Sequence, residues 1–384
     1  MLNRSISQDL VSQHGISVVR RDSRTADERS SNGVSARMIR REFLAAGLGA
    51  TGVVACDAAP GLAMALPTTG LDPALLTQAL DAGEALPKLN AIIVARDGVV
   101  EAERVYRGPS LETPVNIKSA SKSVLAAITG MAIGRGHLTG PDQMIAPFLS
   151  DRFPADADPR LSTLTVGHLL SMQAGLGPTS GANYGAWVSS RDWVRYALAR
   201  PFEADPGGRM IYSTGTSHLL SAVLTRASGL STLALARETL GAALDITIPA
   251  WPTDPQGIYF GGNDMRLSPR ALLAVGELYR KDGLYAGERI LPEGWVETSW
   301  RGRGRSRWSG NPYGYGWWIR RSGEHDVFFA WGYGGQMIFV TPDLQLTVVM
   351  TSDPEPVATR DGHVDALHRI LDVGLIPAAQ RGQA

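Results

Sequence analysis

Apolar and polar positions alternate in blocks whose period changes along the chain. The run NAIIVARDGVVEAERVY at 90–106 is two β-branched stretches on either side of Asp97-Gly98. Glycine supplies the positive φ that a tight turn requires, so the pattern predicts a β-hairpin. From KSASKSVLAAITGMAIGRG (118–136) the apolar residues recur at helical spacing, and Gly134 and Gly136 close the predicted helix. Between 140 and 285 the segments TVGHLLSMQAG, SRDWVRYALAR, TSHLLSAVLTRASG, STLALARETLGAAL and PRALLAVGELYRKDG read as helices, separated by Pro and Gly turns such as DPGG at 205–208. Strand patterns return in YGYGWWIRR, DVFFAWGYGGQMIFVTP and LQLTVVMTS, and HVDALHRILDVG predicts a last helix. Strands at both ends with helices between predict an α/β (α+β) fold, its sheet assembled from the two termini around a helical insert at roughly 140–285.

The chemistry concentrates in NIKSASKSV (116–124), with three serines and two lysines. On a helix, residues three apart share a face with Cβ atoms about 5–6 Å apart, and this pairs Ser119 with Lys122. Ser121 points about 100° away from Lys122, and Ser123 lies beyond it. A serine hydroxyl becomes a nucleophile when a neighbour takes its proton, and a lysine can do so only when neutral. Burial together with a neighbouring cation would bring its pKa from about 10.4 to near 7. The start of a helix adds free N–H groups, so Ser119's own amide is a candidate oxyanion donor. The chain holds four lysines against 33 arginines, and arginine could not serve because it does not deprotonate. Taken alone, Ser-x-x-Lys also fits an N-cap serine beside a solvated lysine.

Several further motifs appear in order: LTVGHLLSMQAGL (164–176), DPGGRMIYSTGTSHLLSAVL (205–224), GIYFGGNDMRLSPRAL (257–272) and FFAWGYGGQMIFVTPDLQLTVVMTS (328–352). With the tetrad Ser119-Ala120-Ser121-Lys122 they resemble the serine β-lactamase and penicillin-binding-protein superfamily, on its class C β-lactamase and esterase side, and within that the 6-aminohexanoate-dimer hydrolase-like enzymes. The resemblance covers residues 70–380. It implies a β-lactamase/transpeptidase-like fold, an antiparallel sheet flanked by helices, and an acyl-enzyme on Ser119 with Lys122 as base. Tyr212 of YST matches the second-motif tyrosine, passing a proton to the leaving group, with its phenolate form favoured by the lysine. Thr214 stands where relatives carry Asn and loses that amide's paired donor and acceptor. AWGYGGQ holds the place of the third motif. In the register Ala330-Trp331-Gly332, the Tyr333 N–H is the second oxyanion donor; a shift by one would use Gly334. The cation of Lys-Thr-Gly relatives is absent there, which points to uncharged esters or amides. A β-lactamase or DD-peptidase, and a non-catalytic penicillin-fold binding or scaffold protein, are the rival readings.

Elsewhere the pattern implies packing. His168 and His218 lie on apolar helical faces as core histidines, while Tyr184, Trp187 and Trp193 either line the acyl pocket or pack the helices. No clustered metal-ligand pattern occurs and the chemistry requires no cofactor. With 37 basic and 37 acidic residues the net charge is zero, and no net field draws nucleic acid. One cysteine, Cys56, excludes an internal disulfide framework. Residues 1–37 are polar, rich in Ser and Arg and without apolar periodicity, which predicts disorder. Arg40-Arg41, the apolar run after them and Ala63-Met64-Ala65 are laid out as a twin-arginine signal peptide at 38–65. That layout predicts export by the Tat translocase to the periplasm or beyond. Either the chain is cut after Ala65, leaving a hydrolase domain at 66–384, or VVAC at 53–56 acts as a lipobox and Cys56 carries a lipid anchor. Either Met1 or Met38 is the start.

Overall fold

The computed structural model describes residues 70–355 and 362–382. The predicted signal peptide, Cys56 and the two candidate starts lie outside the described residues. An eight-stranded sheet forms the centre, from β1 (Leu89–Arg96), β2 (Val99–Val105), β3 (Gly304–Arg305), β4 (Pro312–Tyr313), β5 (Trp318–Ser322), β6 (His325–Gly332), β7 (Gln336–Thr341) and β8 (Leu346–Ser352). Their spatial order is β2-β1-β8-β7-β6-β5-β4-β3, with antiparallel pairing throughout. β1 against β8, with Ile93 opposite Val349, joins the N-terminal hairpin to the C-terminal strands. The turn of that hairpin places Asp97 at φ 49° and Gly98 at φ 82°, as its sequence predicts.

Both faces of the sheet are covered. Ala91, Ile93, Ile338, Val340 and Val349 face one core, while Leu89, Val94, Met337, Phe339, Val348 and Met350 face the other. Strands buried on both sides carry apolar residues at every position, which is why IFV and LTVVM show no alternation. The principal helices are α1 (Pro73–Glu84), α2 (Ser121–Gly134), α3 (Thr214–Ser228), α4 (Pro269–Arg280) and α5 (His363–Arg369). Asp72 caps α1 by accepting from the N–H groups of Ala74 and Leu75, and Ser268 caps α4 by accepting from Ala271, each followed by proline at the first helical position. α2 is buried from Ser121 to Ala132 and ends at Gly134, with Gly136 at φ 77° beyond it.

Two sequence expectations change. α4 falls inside the span read as a helical insert, yet it packs on β1, β7 and β8 as part of the sheet's cover; the insert's helices end at Leu244. TVGHLLSMQAG is helical only over Val166–Leu170, because Met172 at φ 60° and Gly175 at φ 79° turn the chain away. That turn has a use: Met172's carbonyl accepts from Ile211's N–H at 2.8 Å and so fixes the residue before Tyr212.

Candidate active site

Ser119 stands where the chain changes pitch. Lys118–Ala120 form one tight 3₁₀ turn that runs directly into α2. Ser119 and Lys122 keep a common face across that junction, with Oγ and Nζ 3.1 Å apart. The other two serines are engaged elsewhere. Ser121 donates to the Lys118 carbonyl at 2.5 Å and accepts from Met265's N–H at 3.2 Å, and Ser123 donates to the Gly316 carbonyl at 2.5 Å.

Lys122 is closed to solvent, at 4% exposure. Its Nζ donates to the Gly262 carbonyl at 2.7 Å, lies 3.5 Å from Thr214 Oγ1, and sits 5.0 Å from the centre of the Tyr212 ring. Desolvation pushes its pKa down to about 7, against the opposing charge of Asp264. The sequence predicts burial together with a neighbouring cation; here burial lowers the value and the charge acting directly on the amine is acidic. Gly262 is required where it lies. Its φ is 72°, and a Cβ there would come within 2.7 Å of Lys122 Cγ and 2.6 Å of Ser217 Cβ.

Tyr212 is half-buried beneath Trp318, whose ring stacks on it at 5.8 Å, and beside the edge of Tyr313 at 6.3 Å. Burial raises its pKa to about 12, and the hydrogen bond with Ser119 offsets only part of that rise. It is therefore a phenol near neutrality, where the sequence argument favoured a phenolate. Gln173 holds the preceding loop by donating to the carbonyls of Gly207 at 2.8 Å and Gly208 at 2.6 Å.

Thr214 opens α3. The free N–H groups there are satisfied by a neighbouring loop: Ser180 Oγ accepts from Thr214 and Thr179 Oγ1 from Gly215, both at 2.8 Å. Ser180 Oγ also lies 3.0 Å from Thr214 Oγ1, so a line of hydroxyls leads away from Lys122.

At the third motif, Gly332 ends β6 directly against the turn that carries Ser119. A Cβ on Gly332 would lie 2.2 Å from the Ile117 carbonyl oxygen, so no other residue fits. Ala330 is fully buried, and Trp331 packs 6.1 Å from Trp318. Tyr333 begins the turn that follows and is 42% exposed. Gly334, the alternative register, packs instead against Pro354.

The aromatic residues between the motifs divide. Trp187 and Trp193 pack with Phe260 and His218 inside the helical layer, while Tyr184 packs its ring against Trp187 and Phe260 and its Oη accepts from Asn263 Nδ2 at 3.3 Å, next to the Gly262 loop. His218 Nδ1 accepts from Gly261's N–H at 3.3 Å, so its Nε2–H donates to Asp254 at 3.0 Å. His168 closes a capping box with Thr165. Among the described residues no group of three or more His, Cys, Asp or Glu side chains could hold a metal ion. Sequence reasoning assigned no role to Gly262, Asp264, Asn116, Ser180 or Gln173; the Gly-Gly before Asn-Asp in GGND was the visible signal of a constrained turn.

The sheet, the buried α2 and the serine–lysine pair at its start define a β-lactamase/transpeptidase fold. A model of the beta-lactamase family matches residues 77–370. The 6-aminohexanoate-dimer hydrolase of Paenarthrobacter ureafaciens is 26% identical over 335 residues, covering 80% of this chain and 83% of its own. Among solved structures, EstCE1, a hydrolase with promiscuous acyltransferase activity, superposes with a TM-score of 0.62 at 17% identity, covering 81% of this chain and 97% of its own. The octameric penicillin-binding protein homologue from Pyrococcus abyssi does so at 0.59 and 18% identity, over 78% and 76%. The chain belongs to the beta-lactamase family, and within it to the serine hydrolases.

Proposed function

We propose that this protein hydrolyses an uncharged ester or amide of a small molecule through an acyl-enzyme on Ser119. The observation that carries the reading is a serine hydroxyl 3.1 Å from a buried lysine amine whose pKa is brought down to about 7. At neutral pH a large share of that amine is unprotonated and able to accept the Ser119 proton. Oγ then bonds to the substrate carbonyl carbon, and the resulting oxyanion is held by the N–H groups of Ser119 and Tyr333. Tyr212, a phenol at this pH, gives its proton to the departing alcohol or amine and recovers one from Lys122. Water enters, loses a proton to the same pair, and releases the acid with Ser119 restored. Trp331 and Gly332 flank the carbonyl, and Thr214 holds the lysine.

The Ala330-Trp331-Gly332 segment offers no cation to a substrate carboxylate, which favours neutral substrates over β-lactams and peptide termini. The relative from P. ureafaciens is named a 6-aminohexanoate-dimer hydrolase and EstCE1 a hydrolase with promiscuous acyltransferase activity, and the proposal includes both amide and ester bonds. The proposal includes export through the twin-arginine segment, which the mass of the mature protein recovered from cells tests. For the chemistry, the test is intact mass after a fluorophosphonate probe on wild type and Ser119→Ala, with p-nitrophenyl esters of rising acyl length and nitrocefin assayed alongside. One adduct on wild type, none on the variant and ester turnover support it. No adduct on folded protein overturns it in favour of a binding role, and dominant nitrocefin turnover in favour of a β-lactamase.

A further inference from the structure

Two residues beside the site hold backbone angles that side chains rarely adopt, Lys118 at φ 48° and Asp264 at φ 57°. Such angles are costly for side-chain-bearing residues and persist where the surroundings over-determine them. Asp264 Oδ1 receives Lys118 Nζ at 3.3 Å and Asn116 Nδ2 at 2.9 Å, and Asn116 Oδ1 accepts Lys118's own N–H at 2.9 Å. The flanking chain is stitched as well. Val115–Asn116 pairs with Arg266–Leu267, and Ile117's N–H donates to the Met265 carbonyl at 3.0 Å. Lys118 adjoins Ser119, and Asp264 lies two residues from Gly262, whose carbonyl holds Lys122 Nζ. One partly buried ion pair thus joins the segment carrying the nucleophile to the segment carrying the partner of the base.

We infer that Lys118 and Asp264 are positioning residues that set the working charge state of Lys122, with Lys118 cancelling the field by which Asp264 would keep that amine protonated. The groups facing Lys122 come from three segments: Ser119 from the nucleophile turn, Tyr212 and Thr214 at the start of α3, and Gly262 and Asp264 from the loop, while Lys118 bears on it through its ion pair with Asp264. Asp264 is the carboxylate that acts on Lys122, and it favours the ammonium; it also faces the Tyr184 phenol. The inference rests on Lys122 as the proton acceptor.

The test is the pH dependence of kcat/KM on a p-nitrophenyl ester for wild type, Asp264→Asn, Lys118→Met and the double variant. Removing the carboxylate charge moves the acid limb down by about half a unit or more, and removing Lys118 moves it up by a similar amount. Below the wild-type midpoint the two single variants then differ about tenfold from this displacement alone. The double variant returns close to the wild-type midpoint. Loss of activity with unmoved midpoints, or displacement of both variants in one direction, overturns the inference. Should Asp264→Asn fail to fold, Lys118→Arg against Lys118→Met serves, since only the second moves the limb. Lys122→Met separates the two readings: retained turnover there removes Lys122 as base, whereas an inactive Lys122→Met with unmoved limbs elsewhere removes only the ion pair's role.

Discussion

Lys122 on α2 and His218 on α3 are both closed to solvent, at 4% and 0% exposure, and their surroundings are opposite. His218 has a carboxylate partner, Asp254, at 3.0 Å and equally buried, inside a box of Trp187, Trp193 and Phe260. Lys122 has hydroxyls, one carbonyl and the face of a phenol, while the carboxylate nearby is held by Lys118 and Asn116. A buried ionisable group with a direct counter-charge is fixed in place, whereas one given only dipoles is driven towards its neutral form. The first arrangement anchors a loop through Gly261; the second leaves an amine able to take a proton.

The contrast breaks most visibly in activity. Ser119→Ala and Lys122→Met should each lower kcat/KM on an activated ester by at least about a thousandfold. Lys122→Arg should be as inactive as Lys122→Met in the same assay, because a guanidinium keeps its proton. Activity restored by arginine would mean that charge, not proton transfer, is what the site requires.

At His218 the expected loss is in stability. Asp254 accepts from the N–H groups of Gln256 and Ile258 at 2.9 Å each, in addition to His218. Asp254→Ala should lower unfolding free energy in urea by about 3 kcal/mol, since it strands a buried imidazole N–H and two backbone donors. An effect under about 1 kcal/mol would show the pair to be dispensable.

Much of this contrast was legible in the residues, and the reason it was not wholly so is physical. Ser119 and Lys122 could be paired because three-residue spacing survives the change from a 3₁₀ turn to an α-helix. His218 could be set aside from its apolar face, whereas His168, read as a core histidine, is half-buried in a capping box. Asp264 could not be connected to Lys118, because their meeting depends on two positive φ angles at non-glycine residues and a separation of 146 positions. Likewise, Thr179 and Ser180 cap α3 from a different segment, whereas sequence rules look for a cap in the residue just before the helix. The assignment of α4 to the insert failed because its periodicity reports that one face is buried, not against which layer.

The same burial that tunes Lys122 has a cost in stability. Its pKa is about 7 in the folded chain and about 10.4 when unfolded. Between those values the unfolded chain binds more protons, so unfolding free energy rises with pH across that window, and the penalty is complete below pH 7. Lys122→Met should be more stable than wild type by about 2 kcal/mol near pH 6, after loss of the Gly262 hydrogen bond is counted, and the difference should close towards pH 10. Equal stability of the two proteins at pH 6 and pH 10 would mean that the amine is not held in its neutral form by burial.

The smallest effect belongs to Thr214. Its hydroxyl lies 3.5 Å from Lys122 Nζ, a distance at the margin of a hydrogen bond, and 3.0 Å from Ser180 Oγ. Thr214→Val preserves shape and leaves Thr214's backbone N–H bonded to Ser180, so α3 keeps its cap. What is lost is one weak dipole at the amine, worth about 1 kcal/mol or a several-fold fall in kcat. A Thr214→Ala variant that also lost thermal stability would report packing, so valine is the informative change. If Thr214→Val falls instead by a hundredfold or more, about 2.7 kcal/mol, the hydroxyl line to Ser180 carries protons and does more than orient the lysine. In that case Ser180→Ala should match it in the same ester assay.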